Sequence, residues 1–129
     1  MSRFFLSFAA LNGFLSVILG AFSAHSLKSK VSANYLDVFN TAAEYQMAHA
    51  LTLLIVCILM LKFPSVSLKV GAWAFSLGLL IFPGSLYLLV LLDLPLLGAV
   101  TPLGGIAFLV GWSCLLVFGF RQKDDGNKA

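Results

Sequence analysis

Four apolar runs, each about as long as a membrane-spanning helix, occupy most of this sequence. They cover residues 4–24, 41–61, 70–91 and 103–120. A hydrocarbon core of about 30 Å requires roughly 20 predominantly apolar residues per helical span, and a helix satisfies its backbone hydrogen bonds within one segment. The sequence therefore predicts an all-α fold, a four-helix transmembrane bundle in which residues 1–129 form a single integral membrane domain.

The composition excludes the soluble classes of protein. Hydrophobic residues make up 60% of the chain and charged residues only 10%, whereas soluble domains carry about 25% charged residues. The net charge of +3 does not indicate nucleic-acid binding, because the basic residues lie at the ends of the apolar runs. Cys57 and Cys114 lie among aliphatic residues inside predicted spans, so we expect free thiols and no structural disulfide.

The basic residues are divided unequally between the two ends of the predicted bundle. One end, with the N-terminus, the turn at 62–69 and the C-terminal tail, carries Arg3, Lys62, Lys69, Arg121, Lys123 and Lys128. The other end carries only Lys28 and Lys30. Cytoplasmic segments have an excess of lysine and arginine, so we expect both termini in the cytoplasm. We also expect the first run to stay in the mature protein, because it is about as long as a full span.

The second predicted helix begins before its span and differs between its two faces. Ser32 or Asn34 can cap its N-terminus, and Asp37 falls in the first turn, where the helix dipole favours negative charge. At about 100° per residue, one stripe is polar; it consists of Asn34, Thr41, Tyr45, His49 and Thr52. The opposite face is mostly apolar and consists of Leu36, Phe39, Ala43, Met47, Ala50 and Leu54. This helix is therefore predicted to be extended and amphipathic at its outer end, with the polar stripe facing the bundle interior or a wet cleft.

Polar side chains from all four helices fall in the outer half of the predicted bundle, whereas the inner half is almost purely aliphatic. An ionisable residue in a span is by default a candidate for function. Interhelical polar contacts that only hold the fold together are an equally open interpretation, at about 0.6 kcal/mol each. Asn12, near mid-depth, is expected to hydrogen-bond across a helix interface or to a carbonyl. The candidate polar cluster consists of His25, Thr41, Glu44, Tyr45, His49, Ser85, Tyr87 and Thr101.

Small residues recur every three or four positions on the first, third and fourth spans, which predicts close helix packing in the membrane. Pro83-Gly84 predicts a kink or local unwinding inside the third span. Thr101-Pro102 predicts a helix N-cap followed by proline in the first turn. The glycines expected at helix contacts are Gly13, Gly20, Gly71, Gly78, Gly104 and Gly111.

Four motifs in order resemble the YgdD-like family of small four-span inner-membrane proteins, whose domain is of unknown function. They are GAFSAHSLK at 20–28, FNTAAEYQMAHAL at 39–51, FPGSLYLL at 82–89, and LGAVTPLGG at 97–105 with GW at 111–112. The resemblance implies a multi-pass protein of the inner (plasma) membrane with a four-helix fold. It implies no activity, cofactor or catalytic residue. The family tends to have glycine where this chain has Ser23, another small residue.

Three functions remain open on this basis. The first is an accessory or structural membrane protein whose polar cluster docks a membrane partner or shapes the bundle. The second is a small oligomeric transporter or proton-coupled permease using Glu44 and His49. The third is an enzyme acting on lipid or quinone at the outer leaflet, with His49 as base and Glu44 as its orienter. A five-residue spacing places Glu44 and His49 about 140° apart on a helix, so they cannot pair directly.

Besides the lipid bilayer, two kinds of partner remain open: a second copy of this chain and another membrane protein. His25, Glu44 and His49 lack the spacing of HxxxH or HExxH sites. We therefore expect no metal site. Because the sequence also lacks a second nucleophile and the resemblance implies no activity or cofactor, we expect no cofactor and no catalytic group.

Overall fold

The structure, a computed structural model, describes residues 1–123. Residues 124–129, which the sequence predicts to be part of a polar frayed tail, lie outside the described residues. Within 1–123 there are four long helices, each long and apolar enough to cross a membrane, and the predicted all-α four-span fold is confirmed. The helices are α1 Ser2–His25, α2 Ala33–Lys62, α3 Val66–Leu92 and α4 Thr101–Arg121.

The bundle has a loop end and a turn end. The loop end carries the connections at 26–32 and 93–100, which contain the short 3-10 helices Leu27–Ser29 and Pro95–Ala99. The turn end carries the N-terminus and the turn at 63–65, where Pro64 separates α2 from α3. Because α2 has 30 residues and about 20 suffice to span a membrane, its first turns extend past the hydrocarbon region.

Helix α3 is the centre of the fold. Helix α1 packs on α2, α2 on α3, and α3 on α4, and no comparable packing joins α1 to α4 within residues 1–123. Residues buried inside the protein make up 56% of the apolar window of α3 but 22% in α1. The four helices therefore form an open arrangement, and the side of α3 between α2 and α4 is left partly uncovered.

Two apolar clusters make up the core. One contains Phe5, Leu53, Phe75 and Phe108 and joins all four helices. The other lies toward the loop end, where the fully buried Phe39 packs against Tyr87 with ring centroids 4.8 Å apart. Most of the other large apolar side chains of α1 and α4 are exposed, as expected for the lipid-facing side of a membrane helix.

Glycines fit α4 tightly against α3. A Cβ atom at Gly104 would lie 2.7 Å from the Phe82 Cα, and one at Gly111 would lie 2.8 Å from the ring of Phe75. Gly78 likewise accommodates the Phe108 ring, and a Cβ at Gly71 would lie 3.2 Å from the Cβ of Cys114. These are the close approaches that small residues permit between membrane helices.

Two of the predicted packing glycines do not serve this purpose. A Cβ built at Gly13 or Gly20 would have no heavy atom of another described helix within 4 Å. The buried residues of α1 are instead Phe5, Ala9, Asn12, Ser16 and Ser23, and the two glycines lie at the margin of that face, where they are only partly buried.

Two helix-end predictions have different outcomes. Ser32 caps α2, its hydroxyl accepting a hydrogen bond from the Tyr35 backbone N–H at 3.2 Å. Thr101 is the first residue of α4 rather than its cap, because its hydroxyl is engaged by Ser85.

Helix α3 runs without interruption through Pro83, so the local unwinding that the sequence allowed does not occur. The Ser85 hydroxyl donates to the Phe82 carbonyl at 2.9 Å in the turn beside the proline.

Candidate functional site

A buried hydrogen-bonded triad of Asn12, Gln46 and Tyr87 joins α1, α2 and α3. The Gln46 side-chain amide donates to the Asn12 Oδ1 atom at 3.0 Å and accepts from the Tyr87 hydroxyl at 2.7 Å. The Asn12 amide nitrogen donates to the Phe8 carbonyl of its own helix at 2.9 Å. Gln46 is 4% exposed and Asn12 5% exposed, so these bonds lie away from lipid and water.

Two pairs of adjacent helices also have a polar contact of their own. Ser23 donates to the Asn40 side-chain oxygen between α1 and α2. The hydroxyls of Ser85 and Thr101 lie 2.6 Å apart between α3 and α4. Every buried side-chain nitrogen and oxygen among residues 1–123 has a hydrogen-bond partner. The polar groups inside the protein therefore form a closed network rather than the lining of a wet channel.

His49 lies between α2 and α4 with both ring nitrogens engaged. Its Nδ1 atom is 2.8 Å from the Tyr45 carbonyl oxygen, and its Nε2 atom is 3.2 Å from the indole nitrogen of Trp112. The imidazole stacks on Phe108, with ring centroids 3.6 Å apart, and is 7% exposed. Both nitrogens of the imidazole are therefore engaged, so it offers no open nitrogen to a substrate.

A groove of about 530 Å³ lies over His49 and opens sideways between α2 and α4. We call it the α2–α4 groove. Tyr45 stacks on Phe82 along it, with ring centroids 4.7 Å apart. Its principal lining residues are Tyr45, His49, Phe82, Gly105, Leu109 and Trp112.

The structure places the predicted polar cluster in several separate sets. Ser85 bonds Thr101, Tyr87 bonds Gln46, and Tyr45 accompanies His49 at the groove. His25 is exposed at the end of α1, and the Thr41 hydroxyl donates to the Asp37 carbonyl of its own helix.

Glu44 is exposed on the outward side of α2 and joins none of these contacts within residues 1–123. The predicted single cluster is therefore not formed. Among the described residues, no three His, Cys, Asp or Glu side chains are placed to share a metal ion.

The inward side of α2 differs from the stripe that the sequence predicts. His49 and Thr52 are buried, as expected for that stripe, but Asn34 and Tyr45 are exposed. The buried side instead includes Phe39, Ala43 and Ala50, which were placed on the opposite face. The physical reason is that α2 is covered on two sides, by α1 and by α3, so its buried surface is wider than one stripe and includes apolar positions.

Gln46 and Trp112 are the functional-site residues that the sequence reasoning missed. Gln46 lies seven residues from both Phe39 and Leu53, which are fully buried, so apolar periodicity identifies its side of the helix. Asn12, expected near mid-depth, hydrogen-bonds both across a helix interface and to a carbonyl, and its partner Gln46 lies near the midpoint of α2. No pattern in the sequence signals that Trp112 reaches His49.

One polar contact lies at the loop end outside the predicted spans. The Tyr35 hydroxyl donates to the Asp93 carboxylate at 2.6 Å. Asp93 ends α3 in the left-handed conformation, with φ 50°, which non-glycine residues adopt uncommonly. The hydrogen bond to Asp93, with burial and the carboxylate charge as further causes, raises the pKa of Tyr35 above its usual 10.0.

Comparison with known proteins gives a consistent set of relatives. Residues 19–105 match the family model described as a protein of unknown function, DUF423. The chain is 42% identical over 125 residues to the UPF0382 inner membrane protein YgdD of Escherichia coli strain K12, covering 97% of this chain and 95% of YgdD. It is 40% identical over 116 residues to the UPF0382 membrane protein YwdK of Bacillus subtilis strain 168, covering 89% of this chain and 94% of YwdK. No solved structure matches the chain.

Proposed function

This chain belongs to the DUF423 family of unknown function, as its resemblance to the YgdD-like proteins predicts, and we propose that it is an accessory or structural protein of the inner membrane. The observation that carries the proposal is the closed triad of Asn12, Gln46 and Tyr87. Its polar groups bind one another and hold three helices in a fixed arrangement. A protein built in this way acts through its outer surface.

The geometry gives no support to transport through the bundle. A proton-coupled path needs Glu44 and His49 to face a common wet space. Glu44 is on the outward side of α2, whereas His49 is buried against Phe108 with both nitrogens engaged. The two side chains therefore do not form one transport site.

Glu44 marks the surface through which a partner protein binds. Asn40 bonds Ser23, two residues before the end of α1, so Glu44 lies about one helical turn inside the span. An ionisable side chain within a span is costly unless it finds a partner. Ala48, one turn further along α2, is exposed on the same side. A neighbouring membrane protein that donates a hydrogen bond to Glu44 would offset this cost.

Photo-crosslinking in native membranes tests the partner. Benzoylphenylalanine at Ala48 should give a discrete protein adduct, and Glu44→Gln should reduce its yield by at least half. The same probe at Leu11, on the exposed face of α1, serves as the control and should crosslink lipid only. The proposal fails if both positions capture lipid alone.

Reconstitution tests the transport alternative separately. Vesicles containing the wild-type protein and vesicles containing Glu44→Gln should leak protons at the same rate as empty vesicles, measured with an internal pH-sensitive dye. Proton flux that requires Glu44 would overturn the accessory role in favour of transport.

We further propose that both termini are cytoplasmic. Arg3, Lys69 and Arg121 lie toward the turn end and Lys28 and Lys30 at the loop end, which is the charge bias of a cytoplasmic turn end. Single cysteines replacing Lys28 and Lys69, in a background with Cys57 and Cys114 changed to alanine, test this orientation. An impermeant maleimide should label Lys28→Cys in intact spheroplasts and Lys69→Cys only after lysis. The reverse result would invert the topology.

A further inference from the structure

The α2–α4 groove has the length of one membrane leaflet. Its lining on α4 runs from Pro102, in the first turn of that helix, to Trp112. Ten residues of helix correspond to about 15 Å, which is half of a hydrocarbon core of about 30 Å. The groove therefore begins near the loop-end surface of the membrane and ends near the middle of the bilayer.

The width of the groove decides between its candidate occupants. A volume of about 530 Å³ over about 15 Å of length corresponds to a mean cross-section of roughly 35 Å². A helix about 10 Å in diameter has more than twice that cross-section, so a helix of a second copy does not fit inside. A single hydrocarbon chain is narrower than a helix and can lie along the groove.

The walls of the groove are apolar along its length. The open rims are formed by Ile106 and Leu109, which are 57% and 67% exposed. The two polar lining groups at the deep end, the His49 imidazole and the Trp112 indole, bind each other. A hydrocarbon chain therefore meets no unpaired polar atom there, which is the condition for favourable burial.

A polar group is available only at the shallow end. Phe82, on which Tyr45 stacks, packs against Gly104 in the first turn of α4, so Tyr45 lies at that depth. Long side chains of a helix point toward its N-terminus, and the N-terminus of α2 is at the loop end. Tyr45 is 45% exposed, and by this rule we expect its hydroxyl to lie toward the depth of the lipid ester groups.

We propose that the α2–α4 groove is a binding site for one acyl chain of a glycerolipid from the loop-end leaflet. The chain lies over Phe82 and Gly105 and its end reaches Trp112. The Tyr45 hydroxyl donates a hydrogen bond to the ester carbonyl. This inference does not depend on the accessory role, since it concerns the occupant of a different face of the protein.

Quenching of Trp112 fluorescence tests the proposal directly. Trp73→Phe leaves Trp112 as the single tryptophan, and Trp112→Phe leaves Trp73 as the control. Phosphatidylcholine brominated near the chain ends is titrated into each protein in detergent micelles. Quenching of Trp112 should saturate at about one lipid per protein, whereas quenching of Trp73 should rise in proportion to the micellar lipid content.

A pair of glycine substitutions supplies the matched test. A Cβ at Gly105 would lie 3.9 Å from the Phe82 ring, in ordinary contact, so Gly105→Leu fills the groove without a backbone clash. A Cβ at Gly119, on the same helix, would have no heavy atom of another helix within 4 Å among residues 1–123, so Gly119→Leu is the control. We expect Gly105→Leu to weaken the saturable quenching at least tenfold and Gly119→Leu to leave it unchanged.

Other outcomes overturn the proposal. Quenching of Trp112 that never saturates, or that is equal in the two leucine variants, would mean that only bulk lipid surrounds the groove. A Trp112 signal that changes with protein concentration and not with lipid would assign the groove to a second copy.

If Gly105→Leu does not fold, Tyr45→Phe takes its place. It should weaken binding by up to about tenfold, the effect of one hydrogen bond, and unchanged binding would exclude the ester contact.

Discussion

The indole nitrogen of Trp112 and the Nε2 atom of His49 lie 3.2 Å apart, across the space between α2 and α4. An indole N–H can only donate a hydrogen bond, so Nε2 of His49 is the acceptor. The proton of the neutral imidazole then lies on Nδ1, which donates to the Tyr45 carbonyl oxygen at 2.8 Å. The contact therefore fixes one tautomer of His49.

This tautomer is a prediction for nitrogen NMR. In protein labelled with ¹⁵N-histidine, His49 should show a protonated Nδ1 and an unprotonated Nε2. Trp112→Phe should shift the Nε2 resonance, because it removes the only donor to that atom within residues 1–123. The exposed His25 provides the second signal and can be assigned with His25→Gln. A His49 spectrum with the proton on Nε2 would contradict the geometry.

Replacing Gln46 should destabilise the fold more than replacing an exposed polar residue. Gln46→Leu removes the partner of both Asn12 and Tyr87 and leaves two buried polar groups unsatisfied. We expect a loss of about 1–3 kcal/mol in the free energy of unfolding, measured by denaturant titration in detergent. Ser113→Ala is the control, because within residues 1–123 the hydroxyl of this exposed residue bonds only the Leu109 carbonyl of its own helix.

A double-variant cycle separates the network from simple packing. If Gln46 and Tyr87 act through their hydrogen bond, Gln46→Leu combined with Tyr87→Phe should cost less than the sum of the two single changes. If the double variant instead loses the sum of the two single losses, the hydrogen bond contributes nothing and only the shape of the side chains matters.

The packing glycines should divide into two classes. Gly104→Ala places a Cβ 2.7 Å from the Phe82 Cα, and backbone atoms cannot rotate away, so we expect a loss of about 1–3 kcal/mol in unfolding free energy. Gly13→Ala meets open space and should be neutral or stabilising by up to about 1 kcal/mol, because glycine is the weaker helix former. Thermal unfolding in one detergent compares the two, and similar losses in both would refute the assigned helix contacts.

The Tyr35 contact with Asp93 should confer a pH dependence at high pH. The pKa of Tyr35 is raised in the folded protein above its usual 10.0, so the contact stabilises the fold fully below pH 10 and less as the pH rises through the folded pKa. The midpoint of thermal unfolding of the wild type minus that of Tyr35→Phe should therefore shrink between pH 9 and pH 12. A difference that stays constant over this range would show that the hydrogen bond is not formed.

The four-helix fold is well predicted from the sequence, because four charge-poor apolar runs, each long enough to span a membrane, determine the helices. Helix α2 begins at Ala33 behind the Ser32 cap, as the capping rule predicts. The separation of Glu44 from His49 also follows from helical geometry alone, and the structure has the two on different sides of α2.

The inward side of α2 could not be derived in the same way. Polarity identifies the interior of a membrane protein only when few apolar contacts compete, and here Phe39 and Leu53 are fully buried beside Gln46. The contact between His49 and Trp112 depends on the lateral position and depth of α4 on α3. That position is set by the fit of Gly104 and Gly111 against aromatic residues, which no spacing rule expresses.

The triad of Asn12, Gln46 and Tyr87 contains no residue of α4, and this has a consequence for biosynthesis. During insertion at the ribosome, the first three helices can complete their polar contacts once α3 has entered the bilayer at Leu92. Helix α4 can then pack on that surface through the fit of Gly104 and Gly111 and through its own contacts with Ser85 and His49. Assembly of the protein thus has a natural order, in which a nascent three-helix unit forms the template for the last helix.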